Sequence, residues 1–199
     1  MDTIRITPLD ALIVVDVQND FCEGGALAVR DASAIVPIIN ALYPRFAHVF
    51  LTRDWHPADH CSFCEEPQFV DKSWPVHCVE DTPGAAFHPQ LAIPPTATVV
   101  NKATDVANDV YSGFGGHTTN GRGLVEELRL RAIQRIFICG IATDYCVRAT
   151  AIDGIHHGFE TFVIEDACRA VDNPAGTGQQ AIEEMRAAGV VTCRSTQIQ

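Results

Sequence analysis

Short runs dominated by apolar and β-branched residues recur along the chain: ALIVVD (11–16), HVFLT (48–52), ATVVNK (97–102), RIFICG (135–140), TFVIED (161–166) and a weaker GVVTC (189–193). A strand with one wet face would alternate apolar and polar side chains, so continuous runs of this length predict strands covered on both faces. Between them lie segments with helical spacing at 31–43, 122–133, 144–157 and 175–188. Strands alternating with helices predict an α/β fold, a three-layer, doubly wound, mostly parallel sheet with helices on both faces. At 199 residues the chain suits one core, so a single domain is expected over 1–199.

One connection breaks this rhythm. Residues 54–95 have no clear period, yet they hold seven of the eleven prolines and both tryptophans. A loop this long inside a compact domain is usually functional or disordered. Its content of Trp, Phe, His and Cys, where a disordered segment would carry solvating residues, points to function.

The formal charge of -11, with only 14 Lys and Arg spread along the chain, argues against nucleic acid or an anionic membrane as partner. A small neutral ligand fits better. The start, MDTIRITPLD, has no cationic stretch leading into an apolar run, and the apolar runs fall far short of the roughly 20 residues a membrane span needs. A cytoplasmic protein is therefore expected, with self-association into a homo-oligomer left open. The eight cysteines are scattered and no secretion signal accompanies them, so they are expected reduced and mostly buried.

In an open parallel sheet, ligands bind beyond the carboxyl ends of the strands. The expected strand ends carry Asp16, Asp54, Lys102, Cys146 and Asp166. Thr143 and Asp144 are good N-cap residues, and a helix starting there would put Cys146 in its first turn, where free backbone N–H groups favour an anion. Such positions can bring a thiol from a pKa of about 8.5 to roughly 3.5 to 7.5. With Asp16 as proton acceptor and Lys102 as neighbouring cation, Cys146 reads as an activated nucleophile whose helix N-terminus could also hold an oxyanion.

A second constellation lies in TRDWHPADHCSF and WPVHC. Asp54 and His56 are two apart and project to one side of an extended segment, while His60 and His77 follow. One carboxylate with two or three imidazoles suits a divalent metal ion, zinc ahead of iron or manganese, with positions open for water or substrate. A rival shares the loop, because Cys61-x-x-Cys64 followed by His77 and Cys78 has the spacing of a structural zinc site. A redox role for Cys61 and Cys64 would expect a helix opening at the motif, which Ser62-Phe63 does not suggest.

The stretches ALIVVDVQNDFCEGGALAV, DWHPADHCSF, WPVHCVEDTPGAAFHPQL, KATDVANDVYSGF and GIATDYCVRATAIDG resemble, in order and at compatible spacing, those of nicotinamidases within the isochorismatase-like cysteine hydrolases. The resemblance implies an isochorismatase-like fold and a catalytic triad of Asp16, Lys102 and Cys146. It implies metal ligands at Asp54, His56 and His77 in the 54–95 excursion, with His60 either a further ligand or a residue behind them. It also implies an oxyanion hole from the amides of Ala142 and Cys146 beside a cis Ile141-Ala142 peptide. Phe21, Trp74 and Tyr111, with Ile141, would hold the substrate ring. The implied activity is hydrolysis of nicotinamide to nicotinate and ammonia through a Cys thioester, with pyrazinamide as a second substrate. Two alternatives remain: a sibling amidase acting on a carbamoyl or ureido group, which needs no metal-bound ring nitrogen, and a non-enzymatic interaction protein stabilised by zinc at Cys61, Cys64 and Cys78.

Overall fold

The computed structural model describes residues 3–69 and 72–199. Seven strands form one sheet: β1 (Asp10–Val15), β2 (His48–Asp54), β3 (Thr98–Lys102), β4 (His117–Thr118), β5 (Arg135–Ile141), β6 (Glu160–Arg169) and β7 (Val191–Cys193). Their order is β4-β3-β2-β1-β5-β6-β7. Every neighbouring pair is parallel except β3 with β4. The helices are α1 (Val36–Leu42), α2 (Leu124–Leu130), α3 (Arg148–His156) and α4 (Thr177–Ala187). Right-handed crossovers put the connections that build outward from β1 to β3 on one face and those that build from β5 to β7 on the other, which gives three layers.

The apolar runs became strands for the reason their composition suggested. β1 is buried at every position, and β5 at every position after Arg135. Phe137 of β5 stacks on Phe162 of β6 with ring centroids 4.5 Å apart, adding aromatic contact to the buried area. Among the described residues, no helix is long and apolar enough to cross a membrane.

Several boundaries differ from the sequence reading. β1 ends at Val15, and Asp16 is the first residue beyond it, with φ at 49°. β6 runs on to Arg169, so Asp166 lies within the strand; its carboxylate accepts from Ser195 N–H at 2.8 Å and Ser195 O–H at 2.6 Å and takes no part at the rim. The antiparallel β4 at the sheet edge was not anticipated. The segment 31–43 is a 3₁₀ turn followed by the short α1, and 144–157 opens with a π-helical turn over Thr143–Val147 before α3.

The strand order reverses direction between β1 and β5, and the crevice beyond their carboxyl ends is where a ligand fits. A bulge in β5 between Ile138 and Gly140 shapes this junction. Gly140 has φ at 120°, and a Cβ there would sit 2.1 Å from Val15 O. Only glycine lets the two strands approach where the following loop must turn toward Asp16.

Candidate active site

Lys102 at the end of β3 is 1 % exposed and organises the floor of the crevice. Its Nζ lies 3.0 Å from Asp16 Oδ2, donates to Asp54 Oδ1, and reaches Cys146 Sγ and Val110 O, each at 3.4 Å. Thr52 on β2 donates from Oγ1 to Asp16 Oδ1 at 2.6 Å, which fixes the carboxylate's rotation. The structure thus brings Asp16, Lys102 and Cys146 together from the ends of three strands.

The electrostatics of this cluster follow from burial and one shared cation. Burial works against the Lys102 charge, but Asp16 and Asp54 outweigh it and hold the ammonium well above its usual pKa. Burial also pushes Asp54 upward, yet Lys102 and the nearby His56 bring it well below the ordinary carboxylate range. Burial dominates at Asp16, whose pKa rises despite Lys102. The Cys146 thiol likewise rises well above its usual value, chiefly by burial, with Lys102 opposing and the carboxylates adding to it.

The expectation of a thiol activated by capping therefore needs correction. Neither Thr143 nor Asp144 caps the turn: Ala142 holds the N-cap position without a side-chain bond. The Asp144 carboxylate turns away, accepting from Val171 N–H and Asp172 N–H at 2.9 Å each and from Thr177 O–H at 2.8 Å. Desolvation outweighs the turn's free N–H groups, so the resting thiol is neutral and needs a base.

Beside this cluster stand Asp54, His56 and His77, whose ligand atoms all lie within 4.8 Å of one another. Backbone pairing explains how residues far apart in sequence meet: His56 N–H donates to Cys78 O at 3.0 Å and Glu80 N–H to His56 O at 2.8 Å. Gln18, missed in the sequence, clamps the Asp54 backbone, donating to its carbonyl and accepting from its amide at 2.8 Å each. Both ring nitrogens of His56 are buried without a hydrogen-bond partner. Unpaired buried polar atoms of this kind cost about 1 to 3 kcal/mol each, and a metal ion would take up one of them. His77 Nδ1 lies 2.7 Å from Pro75 O; a carbonyl only accepts, so Nδ1 carries the proton and Nε2 keeps its lone pair for a metal. Burial lowers the His77 pKa and favours the neutral, ligating form. These three residues fit a divalent ion with open positions.

His60 stands next to this group and outside it. Its ring centroid lies 4.3 Å from that of His56, its Nδ1 contacts Ser62 Oγ at 2.8 Å, and its Nε2 faces Asn108 O at 3.4 Å. Among the described residues no group of metal-ligating atoms includes Cys61, Cys64 or Cys78, so the structural-zinc alternative finds no assembled site.

Phe21, Trp74, Tyr111, Ile141 and Ala142 line a pocket above both clusters, as expected. Trp74 Nε1 donates to Tyr111 Oη at 3.0 Å. The Ile141-Ala142 peptide is cis. The carbonyl of Ala142 accepts from the amides on either side of Cys146, those of Tyr145 and Val147, at 3.1 Å each. Tyr145 and Asp109 complete the lining and were not foreseen. Tyr145 meets Trp74 edge-on at 5.0 Å, and its place directly before Cys146 was the available signal. Asp109 sits in an irregular stretch with no period to reveal it, and its Oδ2 is buried without a partner.

A model of the isochorismatase domain matches residues 10–197. The chain is 41% identical over 203 residues to the nicotinamidase of Acinetobacter baylyi, covering 94% of each chain. It is 44% identical over 191 residues to the nicotinamidase/pyrazinamidase of Mycobacterium tuberculosis, covering 93% of this chain and 99% of that one. Its structure is similar to that of a Pyrococcus horikoshii pyrazinamidase in complex with zinc, with a TM-score of 0.82, 40% identity and coverage of 94% and 99%.

Proposed function

The chain belongs to the isochorismatase domain family, and from that premise we propose that it is a nicotinamidase, hydrolysing nicotinamide to nicotinate and ammonia. The observation that carries this reading is the single pocket in which Cys146, backed by Asp16 and Lys102, shares a floor with the Asp54, His56 and His77 group. A relative that acts as a pyrazinamidase supports pyrazinamide as a second substrate.

Asp16 takes the proton of Cys146, and the sulfur attacks the carboxamide carbon. The raised pKa of Asp16 suits an acceptor that must hold this proton and return it. Negative charge gathers on the carboxamide oxygen, which the Ala142 and Cys146 amides receive. The C–N bond breaks as Asp16 gives its proton to departing ammonia, leaving a thioester on Cys146. Asp16 then draws a proton from water, the resulting hydroxide displaces the sulfur, and nicotinate and the free thiol are restored. Lys102 keeps its charge throughout and holds both carboxylates in position. When bound at Asp54, His56 and His77, a divalent ion, zinc by analogy with the Pyrococcus horikoshii structure, supplies a fixed Lewis-acid contact for the ring nitrogen. Phe21, Trp74 and Tyr111 hold the flat ring, with contacts worth about 0.5 to 1.5 kcal/mol each. His60 braces His56 from behind.

Ammonia release from nicotinamide, pyrazinamide, benzamide and a panel of carbamoyl compounds tests this directly. Nicotinamide and pyrazinamide should be turned over. Benzamide, which lacks the ring nitrogen, should fall at least about tenfold in kcat/KM, or about 1.4 kcal/mol. Equal rates for benzamide and nicotinamide would remove the metal group as the element that reads the ring, and a preference for carbamoyl compounds would make the protein a sibling amidase.

A further inference from the structure

Of the eight cysteines, six are buried and two, Cys61 and Cys64, are exposed. The hydrolytic chemistry uses neither. Cys61 and Ser62 occupy the middle of a turn closed by Phe63 N–H to His60 O at 3.0 Å, with His60 and Ser62 buried and the two cysteines facing out. The inner side of the same segment packs Phe63 against the rings of His56, His60 and His77, at centroid distances of 5.3, 5.6 and 5.5 Å.

Both cysteine amides are tied to the stretches that carry the pocket's aromatic wall. Cys61 N–H donates to Val106 O at 2.8 Å, in the stretch leading to Tyr111. Cys64 N–H donates to Trp74 O at 2.8 Å, and Trp74 N–H returns to Ser62 O at 2.8 Å. Trp74 and Tyr111 are themselves joined through the indole N–H. Drawing Cys61 and Cys64 together therefore pulls on both aromatic walls at once.

We propose that Cys61 and Cys64 form a thiol–disulfide exchange site for low-molecular-weight disulfides, and that its closure disturbs the ring-binding wall of the pocket. One cysteine, as thiolate, attacks a sulfur of RS–SR; that S–S bond breaks and the first RS⁻ leaves, taking up a proton. The second cysteine, as thiolate, attacks the protein sulfur of the mixed disulfide, and the second RS⁻ leaves and is protonated in turn. The protein loses two electrons and two protons, and RS–SR becomes two RSH. No helix opens at the motif, so the pair receives exchange and does not catalyse it in the manner of a thioredoxin. Cys146 at the pocket floor is 6 % exposed and out of reach of a bulky disulfide, so exchange selects the outer pair.

The kinetic half of this inference rests on the nicotinamidase reading; the chemical half does not. Reduced protein is equilibrated with oxidised glutathione, mapped by peptide mass spectrometry, and assayed with nicotinamide before and after dithiothreitol. The expected result is loss of two hydrogens confined to the peptide holding Cys61 and Cys64, with KM raised about tenfold, since small displacements of positioning groups have effects of that order or larger. Dithiothreitol should reverse both changes, and the Cys61→Ser/Cys64→Ser variant should match the reduced protein and ignore the treatment. Glutathione adducts without an internal bond, a bond that leaves KM unchanged, or a response that survives in the double variant would each overturn the proposal. Turnover by the reduced protein, read in the same series, judges the nicotinamidase reading separately from the mass change.

Discussion

Two buried polar clusters meet at the floor of the pocket, and they differ in what they leave unsatisfied. In the first, Thr52 and Lys102 hold Asp16, and Lys102 reaches on to Cys146, so the parts of a proton-moving device are all supplied by the chain. In the second, both nitrogens of His56 lack a partner and His77 keeps a lone pair free, so the cluster is built around a guest. Asp54 belongs to both: Oδ1 accepts from Lys102 while Oδ2 lies 3.7 Å from His56 Nε2. The difference separates chemistry from orientation. A cluster closed on itself can move protons, whereas an open one can only hold what it is given.

The largest effect should come from removing the proposed nucleophile. Cys146→Ala should lower kcat by more than about a thousandfold, or about 4 kcal/mol, with folding and bound metal unchanged. A variant retaining a larger share of activity would end the case for covalent catalysis. Loss of metal from the same variant would break the separation of the two clusters.

His77→Ala attacks the open cluster instead. It should lose metal affinity by more than the roughly 10- to 100-fold that loss of an outer partner costs, and activity should fall with it. Cys64→Ser, in the same excursion but exposed, should keep both. Elemental analysis giving the reverse pattern would move the metal to the cysteines.

The closed cluster was the more legible in sequence, and the reason is physical. Strands buried on both faces announce themselves as apolar runs, and a charged residue or thiol at such a run's end has few structural uses, so Asp16, Lys102 and Cys146 stood out. The excursion yielded its ligands, because Asp54, His56 and His77 are rare types in a loop, but not its supports. Gln18 acts across 36 residues of sequence and Asp20 across 58, where its carboxylate accepts from Cys78 N–H at 2.7 Å, and no local pattern reveals such partners. Local rules also misled. Asp144 looked like a cap and is spent on Val171, Asp172 and Thr177, while Asp166 looked like a rim residue and is spent on Ser195. In each case a tertiary hydrogen bond outcompeted the local one.

The smallest and sharpest test lies at Thr52, which is fully buried and touches only the closed cluster through its 2.6 Å bond to Asp16 Oδ1. Thr52→Val nearly preserves volume and removes the donor, and a hydrogen bond to a charged group contributes about 1.5 to 3 kcal/mol, so kcat/KM should fall by roughly ten- to a hundredfold. The pH dependence distinguishes a lost base from a lost shape. Burial already raises the Asp16 pKa, and Thr52 opposes that rise by stabilising the carboxylate. Without it the pKa climbs further, and since Asp16 must be ionised to accept the Cys146 proton, the acid limb of the kcat/KM profile should move to higher pH. The deficit should therefore shrink as pH rises, with metal content unchanged because Thr52 does not reach His56 or His77. An unshifted limb would remove Asp16 as the base, and a loss of metal would mean that the two clusters do not act as separate devices.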